Sequence, residues 1–483
     1  MVDWELVRKD FPITQNITYF QSAGTSPLPT PVYEAVLAGY RQLRDFGDIN
    51  WHKDFVTFRQ LLDNLATMIH TTPDNLTFVA NTSTAMSLLA LAMKPRLADG
   101  GNIVSLQDEF PATTVPFEYQ KITMKYVQPT ASRYAIKAIL EQVDAQTLAV
   151  VVSYVQYCTG FRLNLTELGA ELRARKVYFI VNATQAMPMF PLDVMAMNID
   201  AMSASLHKWG CAGHVGALFY TTPAFRAKFP APIAGWLAIA GPGDGSIHTQ
   251  KNVPFALHAS ADQYWPGTIN FQPFRGLAAA FDYLTHLGFD QIRTRLWQLS
   301  DYLVSGLRQL PSVTIVSPLS SHDERSAIVS FTLGEKTDAC VPYLAERQIY
   351  ASYRNGYVRI AVNIFNNERD IDRLLTAIGE LVAAPQLSGS VEPAQARPDP
   401  AASVPQKKDG SIGMFLCGFI GAGLGGFIGA GLVTIIIMNL DRVIGAILGA
   451  VITASIGWVI GAVIGLVIGE AIGGVLGKVI GRK

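Results

Sequence analysis

The segment SASLHKWGCAGHVGALF (203–219) holds the strongest chemical signal in the chain: Lys208, directly after His207, lies among small residues and downstream of a predicted strand, VYFIV (177–181). An amine held unprotonated at the end of a rigid element can condense with an aldehyde and be released when a second amine displaces it. A second segment, FVANTSTAMSLLA (78–90), reads as strand, polar turn and helix. Four cysteines (Cys158, Cys211, Cys340, Cys417) show no CxxC pair and no metal-type spacing, which argues against a disulfide framework or a zinc site. Lys+Arg (38) balances Asp+Glu (38), so no global field points to nucleic acid.

With these segments in this order, the sequence resembles the class V aminotransferase family of pyridoxal-phosphate (PLP) enzymes. The branch is that of cysteine desulfurases and isopenicillin-N epimerase-like proteins, and the likeness covers about residues 15–380. The resemblance implies that Lys208 is the Schiff-base lysine. Backbone amides at Thr82 and Ser83 would hold the cofactor phosphate at a helix N-terminus, joined by Ser205 and His207 from the lysine loop. Gly267 and Thr268, in YWPGTINF, look like the pair that reaches the phosphate of a neighbouring subunit, so a homodimer is expected. Gln185 stands at the position that contacts the phenolic oxygen, and VVSYVQYCTGF (151–161) resembles the strand and loop beside the same oxygen. Phe110 stands where desulfurases stack a histidine on the pyridine ring; a phenyl ring stacks but transfers no proton. Arg359, in YVRIAVN, resembles the strand arginine that grips a substrate α-carboxylate with two prongs.

Two departures from the family pattern bear on the reaction. Where the family has an aspartate beneath the pyridine nitrogen, VNATQ places Asn182, a neutral group that should leave the nitrogen largely unprotonated and weaken the ring as an electron sink. Desulfurases also carry a nucleophilic cysteine on a mobile loop shortly before the carboxylate arginine. IYASYRNGYVRI (349–360) has neither, and Cys340 falls in a helical pattern as a core thiol. Lyase, epimerase or transaminase chemistry on an amino acid or related metabolite is the expectation. The alternative is a catalytically degenerate PLP-binding domain that regulates a membrane effector.

The elements that must position these residues alternate in the manner of an α/β enzyme. Short apolar runs at 76–80, 102–106, 148–155 and 177–181 are separated by helical patterns such as 87–93 and 165–176, which predicts a mostly parallel sheet covered on both faces. The fold class expected is the PLP-dependent type I fold: an N-terminal arm and large domain over 1–270 and a small α/β domain over 271–385, with strands near 326–333 and 357–363. Residues 386–410, rich in Pro, Ala and Ser, read as a flexible tether.

The mean hydropathy of +0.24 owes its excess to the last segment, 411–483. Ile412–Met438 and Val443–Gly469 each run 27 residues without a charge, longer than the roughly 20 needed to cross a bilayer. Glycines recur every fourth residue, from Gly421 to Gly429 and, but for Thr453, from Gly445 to Gly481. Such a stripe lets helix backbones approach closely in a membrane. Lys407 and Lys408 before the first span and Lys478, Arg482 and Lys483 after the second predict a glycine-zipper transmembrane hairpin with both ends, and the enzyme body, in the cytoplasm.

Overall fold

The computed structural model describes residues 2–49, 51–240, 255–268 and 270–384, all within one compact unit. The tether expected over 386–410 and the hairpin expected over 411–483 lie outside the described residues. Among those described, no helix is long and apolar enough to cross a membrane.

A short helix, Trp4–Lys9, and β1 (Thr18–Tyr19) lead into two long helices, Thr30–Phe46 and Trp51–Met68. Seven strands follow: β2 (Leu76–Val79), β3 (Asn102–Leu106), β4 (Thr123–Val127), β5 (Thr147–Ser153), β6 (Tyr178–Asn182), β7 (Ala201–Ser205) and β8 (Ala217–Thr221). They form one sheet in the order β2-β8-β7-β6-β5-β3-β4, parallel except for β8, which runs antiparallel to both neighbours. The apolar runs at 76–80, 102–106, 148–155 and 177–181 are β2, β3, β5 and β6. Every residue of β3, β7 and β8 is buried, because helices cover both faces and neither face of the strand can be polar. Alternate residues feed two cores: Val150 and Val152 of β5 join the larger one, Val151 the smaller, which also receives Leu88, Leu89 and Met93 from helix Thr82–Leu97.

The C-terminal part adds β9 (Thr314–Ile315), β10 (Ile328–Thr332), β11 (Ile349–Tyr350), β12 (Ser352–Arg354) and β13 (Tyr357–Ala361). Four of these make an antiparallel sheet in the order β12-β13-β10-β9. Two features cross the boundary expected at 270/271. Helix Phe271–Leu287 packs on helices Thr30–Phe46 and Trp51–Met68, with Arg275 donating to Asp54 at 2.8 Å. The N-terminal arm, for its part, docks on the small domain. β1 pairs in parallel with β11, Arg8 grips Asp370 with two hydrogen bonds of 2.7 and 3.0 Å, and the Phe11 and Phe365 rings lie 4.9 Å apart. A two-residue strand that pairs across more than 300 residues of sequence leaves no periodic signature, so these contacts were not legible beforehand.

The loop after β5 joins the two sheets. Ser330 donates to the Cys158 carbonyl and Ser317 to the Thr159 carbonyl. Gly160 sits at φ +74°, and a Cβ there would lie 2.5 Å from the Ile328 carbonyl oxygen of β10. Both the backbone angle and the contact demand glycine. Gly160→Ala should therefore destabilise the protein by about 1–3 kcal/mol, seen as a lowered Tm in thermal unfolding. An unchanged Tm would mean that the loop and β10 are not locked together.

Candidate active site

Parallel strands place their C-terminal residues along one edge of the sheet, where an α/β fold opens its binding crevice. Here Ser153 of β5, Asn182 of β6 and Ser205 of β7 lie at that edge, with Ser153 opposite Asn182 and Asn182 opposite Ser203 in the strand register. They line a cavity of about 320 Å³ together with Thr82, Ser83, Phe110, Gln185, His207, Lys208 and Arg359. Nine of the eleven residues singled out in the sequence thus meet in one place. The other two, Gly267 and Thr268, do not line it. Thr268 is exposed on the surface of this chain, and Gly267 lies near the partly exposed Trp236.

At one end of the cavity helix Thr82–Leu97 begins. Asn81 caps it, accepting from the Thr84 amide at 2.9 Å. The first amides of a helix have no partner within it, so those of Thr82 and Ser83 remain free for an anion. Buried hydroxyls surround them: Thr82 Oγ1 is 2.9 Å from Ser205 Oγ and 3.1 Å from Thr184 Oγ1, and Thr184 Oγ1 also accepts from the Ser205 amide at 3.1 Å. His207 adjoins this cluster, its ring 4.5 Å from that of His214. Burial, then Lys208 and His214, lower its pKa to about 4, so it is neutral at physiological pH.

Lys208 lines the same cavity, its Nζ 5.5 Å from the centroid of the Phe110 ring. Burial, then the charges of Arg359 and Arg354, lower its pKa to about 7. A large fraction of the amine is therefore unprotonated and nucleophilic near neutral pH. Phe110 also packs edge-on against Tyr157, with ring centroids 5.2 Å apart.

Gln185 and Asn182 are each held in one orientation by unambiguous donors. The Trp209 indole N–H donates to Gln185 Oε1 at 3.0 Å, and Gln185 Nε2 donates to the Ala23 carbonyl at 2.9 Å, which ties the N-terminal arm to the cavity. The Thr184 amide donates to Asn182 Oδ1 at 3.1 Å, so the other atom is Nδ2, which donates to Thr113 Oγ1 at 3.0 Å.

At the far side Arg359 is only 2 % exposed. Its Nη1 donates to the Tyr157 carbonyl at 2.7 Å, its Nε has no partner, and among the described residues no carboxylate pairs with it. Burial lowers its pKa to about 10, which leaves it charged. A buried guanidinium without a carboxylate is a site for an anionic ligand.

Sequence reasoning missed several lining residues. Asn81 and Thr184 sit in segments already singled out, and Asn81 carries a legible capping signal. Arg354, Tyr157, Ala23 and Gly24 also line the cavity. Arg354 and the Ala23–Gly24 loop carry no local signal, because only the folded chain brings them there.

These residues fit PLP. The free amides and hydroxyls at the helix start match its phosphate, an unprotonated amine stands ready for its aldehyde, and the carboxylate-free Arg359 guanidinium is left for the carboxylate of a substrate. The cavity lining has no Asp or Glu to repel either anion.

Comparison with known proteins agrees with this geometry. The profile of the family described as Aminotransferase class-V matches residues 18–374. A probable cysteine desulfurase of Pyrococcus abyssi is 24% identical over 78% of this chain and 97% of its own length. The isopenicillin N epimerase of Amycolatopsis lactamdurans is 25% identical over 78% of this chain and 98% of its own length. Among solved structures, a C-DES variant with glycine covalently linked to its PLP cofactor superposes with a TM-score of 0.69 at 23% identity, covering 79% of this chain and all of that one.

The depressed Lys208 pKa has a consequence for stability. A lysine that holds its proton less tightly when folded than when unfolded destabilises the fold fully below its folded pKa, and the penalty fades as pH rises to the unfolded value. Cofactor-free Lys208→Met should therefore be more stable than the parent below pH about 7, with the advantage lost between about 7 and 10.5. Denaturant titrations across that range test this, and a pH-independent difference would contradict it.

Proposed function

The chain belongs to the aminotransferase class-V family and is a PLP-dependent enzyme; on that premise we propose that it acts on the amino group of an amino acid or related metabolite through lyase, epimerase or transaminase chemistry. The observation that carries the reading is Lys208, an amine kept largely unprotonated between an amide-and-hydroxyl anion cradle and the buried, carboxylate-free Arg359. When bound, PLP supplies an aldehyde for the substrate amine and a ring that accepts electron density from the substrate's α-carbon.

The chain's own residues divide the work. Thr82 and Ser83 amides, with the Ser205 hydroxyl and the neutral His207, would hold the phosphate. Gln185, fixed by Trp209, meets the phenolic oxygen. Phe110 would cover one ring face and, lacking a proton to give, would leave proton transfer at the substrate α-carbon to Lys208 Nζ. Arg359 would orient the substrate carboxylate. Asn182 would face the ring nitrogen.

Persulfide-forming chemistry is disfavoured in this reading, although several relatives are named cysteine desulfurases. Cys158, Cys211 and Cys340 are buried, and burial raises their pKa to about 11, 12 and 12, so none is a ready nucleophile. β12 and β13 turn directly through Asn355 and Gly356, both at positive φ, with no loop before Arg359 to carry another thiol. We also infer a homodimer that covers Thr268 and the exposed Ile233, Trp236 and Phe255, and membrane anchoring through the 411–483 hairpin with the enzyme body in the cytoplasm.

Borohydride treatment of the PLP-loaded protein should fix the cofactor to Lys208, read by peptide mass, and Lys208→Ala should abolish the adduct. Absence of any adduct in the parent would refute the functional reading. Arg359→Lys should raise KM for the amino-acid substrate by about 10- to 100-fold while the adduct on Lys208 persists. The full chain should float with phospholipid vesicles, whereas a chain ending at residue 390 should not.

A further inference from the structure

Behind the cavity wall lies a carboxylate that the scheme above leaves unused. Glu109 is 8 % exposed and does not line the cavity, yet its neighbours Phe110, Ala112, Ser153 and Asn182 do. Its carboxylate accepts from the Ser153 amide at 2.6 Å, from the Ser153 hydroxyl and from Gln156 Nε2 at 3.0 Å. The Thr113 hydroxyl is close enough to favour its charged form as well. Among the described residues no Lys, Arg or His pairs with it. Burial pushes the carboxyl up, and the Ser153, Gln156 and Thr113 donors hold it back.

The hydrogen bonds have one consistent direction. The Thr184 amide fixes Asn182 Oδ1, so Asn182 Nδ2 is a donor and Thr113 Oγ1 accepts from it. The Thr113 hydroxyl, having accepted, has its own hydrogen left for Glu109. The Ser153 amide and Gln156 Nε2 donate to the carboxylate, the Ser153 hydroxyl lies within hydrogen-bond reach of it, and the Thr113 hydroxyl lies beside it. These donors favour the ionised form, against a burial that on balance raises the carboxyl's pKa. A buried anion is normally paired, and this one has donors but no cation. Beyond Thr113 lies Asn182, the residue where relatives place the charge that protonates the pyridine nitrogen.

We propose that Glu109 is the counter-charge of the cofactor ring, acting through Thr113 and Asn182 to favour a protonated ring nitrogen in place of the carboxylate that position 182 lacks. The inference rests on the PLP reading above. Glu109 is a positioning residue: it touches neither cofactor nor substrate, and its charge acts by way of Thr113 and Asn182. The negative charge is moved one residue back from the ring, and the electron-accepting capacity that Asn182 by itself would weaken is retained.

The test uses the full chain loaded with PLP carrying ¹⁵N in the ring, whose chemical shift separates protonated from unprotonated nitrogen. The parent should show the protonated shift. Glu109→Gln should move it toward the unprotonated value, Thr113→Val should move it in the same direction, and Asn182→Asp should leave it protonated. Thr113→Val keeps the three other donors on Glu109, so it decides the matter if Glu109→Gln fails to fold. A parent shift already at the unprotonated value, or one that neither variant moves, overturns the proposal while the Lys208 adduct still stands. Failure of labelled PLP to bind at all sinks the functional reading and this inference together. In the cofactor-free protein, the infrared difference between the parent and Glu109→Gln should contain carboxylate bands; a protonated-carboxyl band in the parent overturns the proposal.

Discussion

A lysine amine can serve as a covalent handle at neutral pH only if water is kept from its proton. Lys208 is placed accordingly, in the loop after β7 and close to the Phe110 ring, with the buried Arg359 and the nearby Arg354 opposing any positive charge on it. Much of the surrounding architecture follows from that requirement. The strands that end beside it are buried on both faces, the N-terminal arm is drawn in by the Gln185–Ala23 bond, and β13 of the small sheet brings Arg359 to the opposite wall. The buried Arg359 and a depressed lysine in one acid-free cavity would be costly if left empty. The arrangement makes sense when the cavity receives anions.

Those anions are received in two different ways. At the helix start the cradle is built from backbone amides and neutral hydroxyls, which bind a phosphate without adding a fixed charge that would further depress Lys208. At the opposite wall the fixed charge is Arg359, suited to a carboxylate that comes and goes with the substrate. Behind the wall, the Asn182–Thr113 hydrogen bond with Glu109 beside it is where we infer a third point of contact. These three groups lie on different elements, and the sheet edge is what makes them one site.

Much of this was legible in the sequence. Continuous apolar runs located β2, β3, β5 and β6 because strands buried on both faces need no alternation, and Lys208, Asn182, Gln185 and Arg359 stood in segments whose order was itself informative. What stayed hidden depended on long-range contact. The pairing of β1 with β11, the placing of helix Phe271–Leu287 against Thr30–Phe46, and the arrival of Arg354 and Ala23 at the cavity have no local period or motif. Glu109 was passed over for a different reason: a single acidic residue beside Phe110 reads as a surface charge until its burial and its donors are known.

The most direct test of the account is a crystal structure of the protein grown with PLP. It should show electron density continuous from Lys208 Nζ to the cofactor, with the phosphate on the Thr82 and Ser83 amides and the ring between Phe110 and the Asn182–Gln185 segment. Cofactor bound elsewhere, or density at this cavity that never reaches Lys208, would contradict it.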